Sequence, residues 1–236
     1  MISKVSQYFS DMNIKEIVIF GAGRGSRDVL QLIEQINKEA IVWKIVGFVD
    51  TDLELGKKII DNIPVYKIAD DIGVSPENLY GVTGIQAPKI RRAVVENEIV
   101  KNGLKLATLI HPDIDIPNDA IFGKGCVIFP GVIIAKGVTL GQSVLVNYNT
   151  LLGIDLVIGN YSFIGPSVVI TASCSIGKES VVGAGCLFVP GVSVGDGCMI
   201  GLGTRLIGHV GDSLHVFDFP KKITRENNMK NQKVSW

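Results

Sequence analysis

Three glycines in the run Gly21-Ala22-Gly23-Arg24-Gly25-Ser26 have a spacing that suggests chemistry with phosphate. Lacking side chains, they let a backbone approach phosphate oxygens, and a helix starting there adds unpaired N–H groups and a favourable dipole. The dinucleotide fingerprint wants a glycine at the sixth place, where Ser26 stands. A nucleotide-sugar diphosphate therefore fits better than NAD. Asp50, at the end of the next strand, is placed to accept ribose or base hydrogen bonds. Gly21, Gly23, Arg24, Gly25 and Asp50 are the candidate substrate-binding residues. The same glycines could also serve only to pack a helix closely on a strand.

The elements that must position this loop are legible on both sides of it. Glu16 to Phe20 is a short apolar run rich in β-branched residues, and Val29, Leu30, Leu32, Ile33 and Ile36 follow the loop at helical spacing. Strands are expected at Ile45 to Val49 and Leu79 to Val82, a weaker element at Val65 to Ile68 leading into Asp70-Asp71, and a helix from about Pro88 to Lys101 carrying Arg91 and Arg92. Strands alternating with helices predict a small α/β domain with a parallel sheet over residues 1–109.

From Ile110 to Leu206 the chain repeats every six residues through seventeen hexads without an insertion. Each hexad leads with a large apolar residue, as at Ile128, Ile134, Leu140, Val146 and Leu152. The second position is glycine in nine hexads, and the fifth is small or apolar throughout. A six-residue period predicts a parallel β-helix over residues 110–211, three hexads to a coil, with lead residues stacked inward. The frequent glycines are expected to supply unusual turn dihedrals. All four cysteines, Cys126, Cys174, Cys186 and Cys198, fall on the fifth position and should be structural thiols filling small interior slots. No C-x-x-C pair is present, so no metal site is expected. After Gly211 the pattern stops, and residues 212–236 read as a cap and polar tail.

Lys and Arg total 23, as do Asp and Glu, so no global field favours nucleic acid or an anionic membrane. Mean hydropathy is +0.35, high for a chain with no run of eighteen apolar residues. Dry coil interiors and flat apolar faces buried in an oligomer would account for it. The first residues, MISKVSQYFSDMN, lack the apolar core of a signal peptide, and a cytoplasmic location is expected.

The two halves together resemble the hexapeptide-repeat sugar acetyltransferases of the sialic-acid O-acetyltransferase and bacillosamine N-acetyltransferase type. The resemblance rests on Gly21 to Val29, on Gly47-Phe48-Val49-Asp50, on Ile110-His111-Pro112 and on the repeat, and it spans about residues 14 to 222. It implies a Rossmann-like nucleotide-sugar-binding domain followed by a left-handed β-helix. It also implies a homotrimer with sites between neighbouring β-helices, and acetyl transfer from acetyl-CoA to a nucleotide-linked sugar in surface glycan synthesis. For the donor it points to the turn residues Ala172, Ala184 and Leu202.

Members of that family use a His followed by an acidic residue as general base. The matching segment here runs from Asn147 to Gly159, and Ile154 stands where the His is expected, with Asp155 retained beside it. Phe163 replaces a second His of the next hexad, and the terminal motif survives only as Asp218-Phe219-Pro220-Lys221. Asp155 is the candidate catalytic residue, with Tyr148, Tyr161 and Lys136 nearby. His111, His209 and His215 lie at the ends of the repeat, too distant to serve. Two readings follow: an acyltransferase with another base, or a non-catalytic trimeric homologue that binds a nucleotide sugar or a partner enzyme.

Overall fold

The computed structural model describes residues 14–51 and 59–218. The N-terminal half is a six-stranded sheet. Its strands are β1 (Lys15–Phe20), β2 (Trp43–Val49), β3 (Ile59–Ile60), β4 (Ile63–Tyr66), β5 (Leu79–Thr83) and β6 (Lys105–Leu106), in the order β3-β4-β2-β1-β5-β6. All pairings are parallel except β3 with β4. Helix α1 (Arg24–Glu39) buries Val29, Leu30, Leu32, Ile33 and Ile36, the apolar stripe that its sequence spacing sets on one face. Helix α2 (Pro88–Val94) takes Pro at its start, where no N–H partner is needed, and continues as a π-helix over Val95–Val100. The weaker element expected at Val65 to Ile68 overlaps strand β4, Ile63–Tyr66, and is followed by a 3-10 turn at Ala69–Ile72.

The second half is a parallel β-helix built from two-residue strands. Strands eighteen residues apart pair in register, as Leu145↔Phe163↔Val181 and Ile133↔Leu151↔Val169 do. Three stacked sheets result. Side one holds Leu109–Ile110, Val127–Ile128, Leu145–Val146, Phe163–Ile164, Val181–Val182, Met199–Ile200 and His215–Val216. Side two runs from Ile133–Ile134 to Arg205–Leu206, and side three from Ile121–Phe122 to Ser193–Val194. The lead residues point inward and form one continuous core, with Ile128, Val146, Leu152, Ile164 and Ile170 fully buried. Burying each such side chain contributes about 1.5–3 kcal/mol relative to leaving it in water.

Fifth-position side chains do more than fill space. Thr150 Oγ1, Ser162 Oγ and Cys186 Sγ donate to the backbone oxygens of Gly165, Gly177 and Gly201, at 2.9, 2.7 and 3.0 Å. All four cysteines are free and buried. Burial pushes the Cys126 thiol up to about 12, which keeps it protonated and inert.

Two expectations need correction. The second-position glycines do not supply positive φ. A Cβ at Gly123 or Gly159 would instead stand 2.5 Å from the backbone nitrogen of Gln142 or Lys178 in the next coil. The left-handed turn residues are at the fourth position, either Gly, as at Gly125 and Gly137, or Ser143, Asn149, Asp155 and Tyr161. Nor does the β-helix stop at Gly211. Val210 bridges Val194 and His215–Val216 pairs with Met199–Ile200, so the last coil advances sixteen residues instead of eighteen. The two missing residues break the sequence period while the stacking continues.

The halves meet along side one. Its outward residues Leu109, Val127, Leu145 and Phe163 are buried in one cluster with Val29, Leu32 and Ile33 of α1 and Ile17, Ile19 and Trp43 of the sheet. At the corner between sides three and one, Arg92 of α2 pairs with Glu179. Tyr161 accepts from Gln142 Nε2 at 2.7 Å and donates to Glu96 of the π-helix at 3.2 Å. Burial, and then the Glu96 carboxylate, raise the Tyr161 phenol above its ordinary value.

Candidate functional site

The glycine loop opens at the end of β1, where Gly21 takes φ 88° and donates to Val49 O at 2.7 Å. Each glycine has its own reason. Gly21 needs the left-handed backbone. Gly25 and Gly84 approach so closely that a Cβ on either would strike the other's carbonyl oxygen. Gly23 has nothing within 4 Å of an added Cβ, so its absent side chain faces open space. Gly23 and Arg24 are exposed at the start of α1, and the helix carries no acidic residue in its first turn to compete with an anion. Ser26 is buried in that turn.

Asp50 stands beside the loop, as its place after β2 implies. One carboxylate oxygen accepts from Ala22 N at 2.7 Å, so Asp50 braces the glycine loop.

Ile154 and Asp155 form the turn between sides two and three, stacked directly above Lys136-Gly137 and below Ala172-Ser173. Ile154 is 52% exposed and Asp155 is exposed beside it, in the left-handed conformation at φ 55°. Lys136 lies one coil below and lines a cleft of about 360 Å³ with Asp115, Asn118 and Asp119. This corner mixes polar turn residues (Lys136, Asp155, Ser173) with apolar ones (Ile154, Ala172), and Ile121, Ile133 and Val157 are exposed around it.

The remaining candidates scatter. Ala172 shares the Asp155 corner, but Ala184 and Leu202 stack on the corner between sides one and two, above Tyr148. Within one chain these donor candidates are on two different edges. Their coils are bare: an added Cβ at Gly185, Gly191 or Gly203 would meet nothing within 4 Å. Phe163, standing where a second His of the family pattern is expected, is buried in the seam under α1. Tyr148 tilts against Phe129 at 4.9 Å, and burial raises its phenol. His111 is buried and its Nδ1 accepts from Asp113 N. His209 stacks over Ser193 on the outward face of side three, three coils above the Asp155 turn, about 14 Å at ~4.8 Å per coil, and bonds Ser193. The terminal motif is described only at Asp218, which pairs with Arg205. Among the described residues no group of His, Cys, Asp and Glu is placed to hold a metal, and no helix is long and apolar enough to cross a membrane.

Sequence reading missed Arg91 as more than a helix residue. It is 2% exposed and bonds four backbone carbonyls, two of them on the β-helix. Only an arginine at a buried helix position hinted at this.

The bacterial transferase hexapeptide (six repeats) pattern matches residues 155–188. No curated protein matches the chain. Among solved structures, the acetyltransferase domain of PglB from Neisseria gonorrhoeae, in complex with acetyl coenzyme A, is similar at 25% identity. That match covers 87% of this chain and 97% of that one, with a TM-score of 0.79. Perosamine N-acetyltransferase from Caulobacter crescentus, as a variant with CoA and GDP-perosamine, shares the fold at 21% identity. There 92% and 100% of the chains are covered and the TM-score is 0.77. WeeI from Acinetobacter baumannii shares it at 20% identity over 86% and 97%, with a TM-score of 0.70. The chain thus carries bacterial transferase hexapeptide repeats over residues 155–188 and shares its overall fold with these acetyltransferase structures.

Proposed function

We propose that the protein transfers an acetyl group from acetyl-CoA to an amino or hydroxyl group of a nucleotide-linked sugar, in surface glycan synthesis. The observation that carries this reading is the near-complete overlap with a domain that binds acetyl coenzyme A, combined with an exposed glycine loop at a helix start. The N-terminal domain is Rossmann-like in this reading and the β-helix left-handed. Gly21, Gly23, Arg24 and Gly25 hold the diphosphate by backbone N–H groups, and Asp50 receives the ribose or base while bracing Ala22.

The topology adds a constraint. The α/β half covers side one, while Asp155 lies on the corner between sides two and three, away from it. A sugar held by one chain's glycine loop therefore reaches the Asp155 corner of a neighbouring copy. A homotrimer answers both this and the split of Ala172 from Ala184 and Leu202, which a second chain brings to one groove. Side two offers the contact, with the outward column Ile133, Leu151, Val169 and Leu187.

The acceptor nitrogen or oxygen attacks the thioester carbon, the C–S bond breaks, and the thiolate leaves. Asp155 takes the acceptor's proton in place of the missing His. Its carboxylate is exposed in the single chain, open to an acceptor that a neighbouring chain holds. The second reading is a binding homologue without catalysis, favoured by Ile154, which cannot move a proton.

Calorimetric titration with acetyl-CoA, followed by thiol release in the presence of GDP-perosamine and other amino-sugar nucleotides, tests both. One donor site per chain and turnover are expected. Donor binding without thiol release on any acceptor favours the second reading, and absence of donor binding sinks the first.

A further inference from the structure

Arg91 is the only buried Lys, Arg, Asp or Glu among the described residues. Burial pushes its guanidinium down to about 10, still charged at neutral pH. Leaving a charge there is costly unless every donor is satisfied, and an apolar side chain would fill the same volume at lower cost. Its hydrogen bonds go to backbone carbonyls. Nε donates to Ser143 O at 3.1 Å and Nη2 to Tyr161 O, on two successive coils. Nη1 donates to Ile85 O at 2.6 Å and Gln86 O at 3.0 Å, in the loop after β5. A rigid planar fork can key two bodies together in this way, whereas a lysine's flexible point charge cannot.

That loop is the glycine loop's neighbour. Gly84 meets Gly25 backbone to backbone, and the Ile85 side chain lies 3.4 Å from where a Cβ on Gly21 would be. Strand β5 lies beside β1, with Thr83 paired to Phe20, so both loops leave the same sheet edge. A continuous path of backbone contacts thus runs from two β-helix turns, through the Arg91 guanidinium and residues 84–86, to Gly21 and Gly25.

We propose that Arg91 is a positioning residue that locks the glycine loop to its own chain's β-helix, so that when β-helices pack side by side a phosphate-binding backbone keeps a fixed place relative to the neighbouring copy's acyl-transfer corner. This rests on the reading of the loop as the nucleotide-sugar site. Arg92, one residue on, grips Glu179 but not residues 84–86, and so holds α2 without holding the loop.

Hydrogen exchange on the full-length protein tests the path without any ligand. Arg91→Lys should speed exchange of the amides at 21–26 and 84–86 about tenfold or more, while Val127–Ile128 and Leu145–Val146 stay slow. Arg92→Ala should leave the glycine loop unchanged. The affinity for UDP or GDP, titrated separately, should fall by a similar factor in Arg91→Lys, with affinity for CoA unaltered. Faster exchange confined to residues 85–92, or an equal effect of Arg92→Ala, would overturn the proposal. Should Arg91→Lys fail to fold, native-state exchange of the wild type in rising denaturant decides. Residues 21–26, 84–86 and the turns at 143 and 161 must open as one unit, and separate opening of the glycine loop refutes the link. If the loop loosens as expected but neither UDP nor GDP binds the wild type, the coupling stands and the nucleotide reading of the loop fails.

Discussion

Ile154 and Asp155 share one turn and have opposite consequences for catalysis. The isoleucine has no ionisable group, so in the proposed reaction the burden of proton removal falls on the carboxylate next to it. Asp155→Asn keeps a residue that tolerates the left-handed turn, and so changes the chemistry without straining the backbone. It should lower turnover about 10²–10⁴-fold with the oligomer intact, measured by thiol release and by light scattering. If turnover survives, Asp155 is a turn residue and the reading of it as a base is wrong. Ile154→His is the converse experiment: a gain in acetyl transfer is expected, since the imidazole would gain Asp155 as its partner. The substitution at 154 was legible in the sequence because the hexad register is unbroken and leaves the alignment no freedom. The second use of Asp50 was not, because the Ala22 N–H that it accepts is twenty-eight residues away. Arg91 was hidden for the same reason, since its partners Ser143 and Tyr161 lie fifty-two and seventy residues on.

Among the elements, the repeat was readable down to which residues face inward, because a side chain stacked every eighteen residues leaves a direct mark on composition. The role of its glycines was misread, since close approach between coils and positive φ both select Gly and only coordinates separate them. The two classes differ in cost. Gly159→Ala forces a Cβ onto the Lys178 backbone and should destabilise by about 1–3 kcal/mol, because neither coil can move alone. Gly185→Ala meets no atom within 4 Å and carries only the cost of its left-handed φ of 69°, about 1 kcal/mol. Thermal denaturation of both variants checks the order. The seam has its own signature. The folded state raises the Tyr161 phenol above the ordinary 10, so the unfolded chain ionises first as pH rises. Stability from this group is therefore complete below about pH 10 and declines above it. Tyr161→Phe should flatten that alkaline decline in denaturant titrations. A decline unchanged by the substitution would assign it to other groups.

At the scale of the whole molecule, the β-helix presents three sides and the α/β half covers one. Side one lost its apolar column to the seam, where Leu109, Val127, Leu145 and Phe163 are buried. Side two kept its column open. Ile133 is 63% and Leu187 41% exposed, with Leu151 and Val169 half-buried between them. Side three is more polar, with Thr139, Ser175 and Ser193 in the equivalent places. A contiguous apolar column of this length on a rigid face marks a contact surface, and the separation of the glycine loop from the Asp155 corner says why function would require one. Val169→Asp together with Leu151→Asp puts two charges into that face without touching the inward core, since Leu152 and Ile170 carry the packing. The wild type should sediment as three copies of the 25.4 kDa chain. The double variant should sediment as one copy, with circular dichroism unchanged and acetyl transfer lost, because each chain would hold half of a site. An active monomer would show instead that loop and corner can meet within a single chain, and that side two serves some other contact.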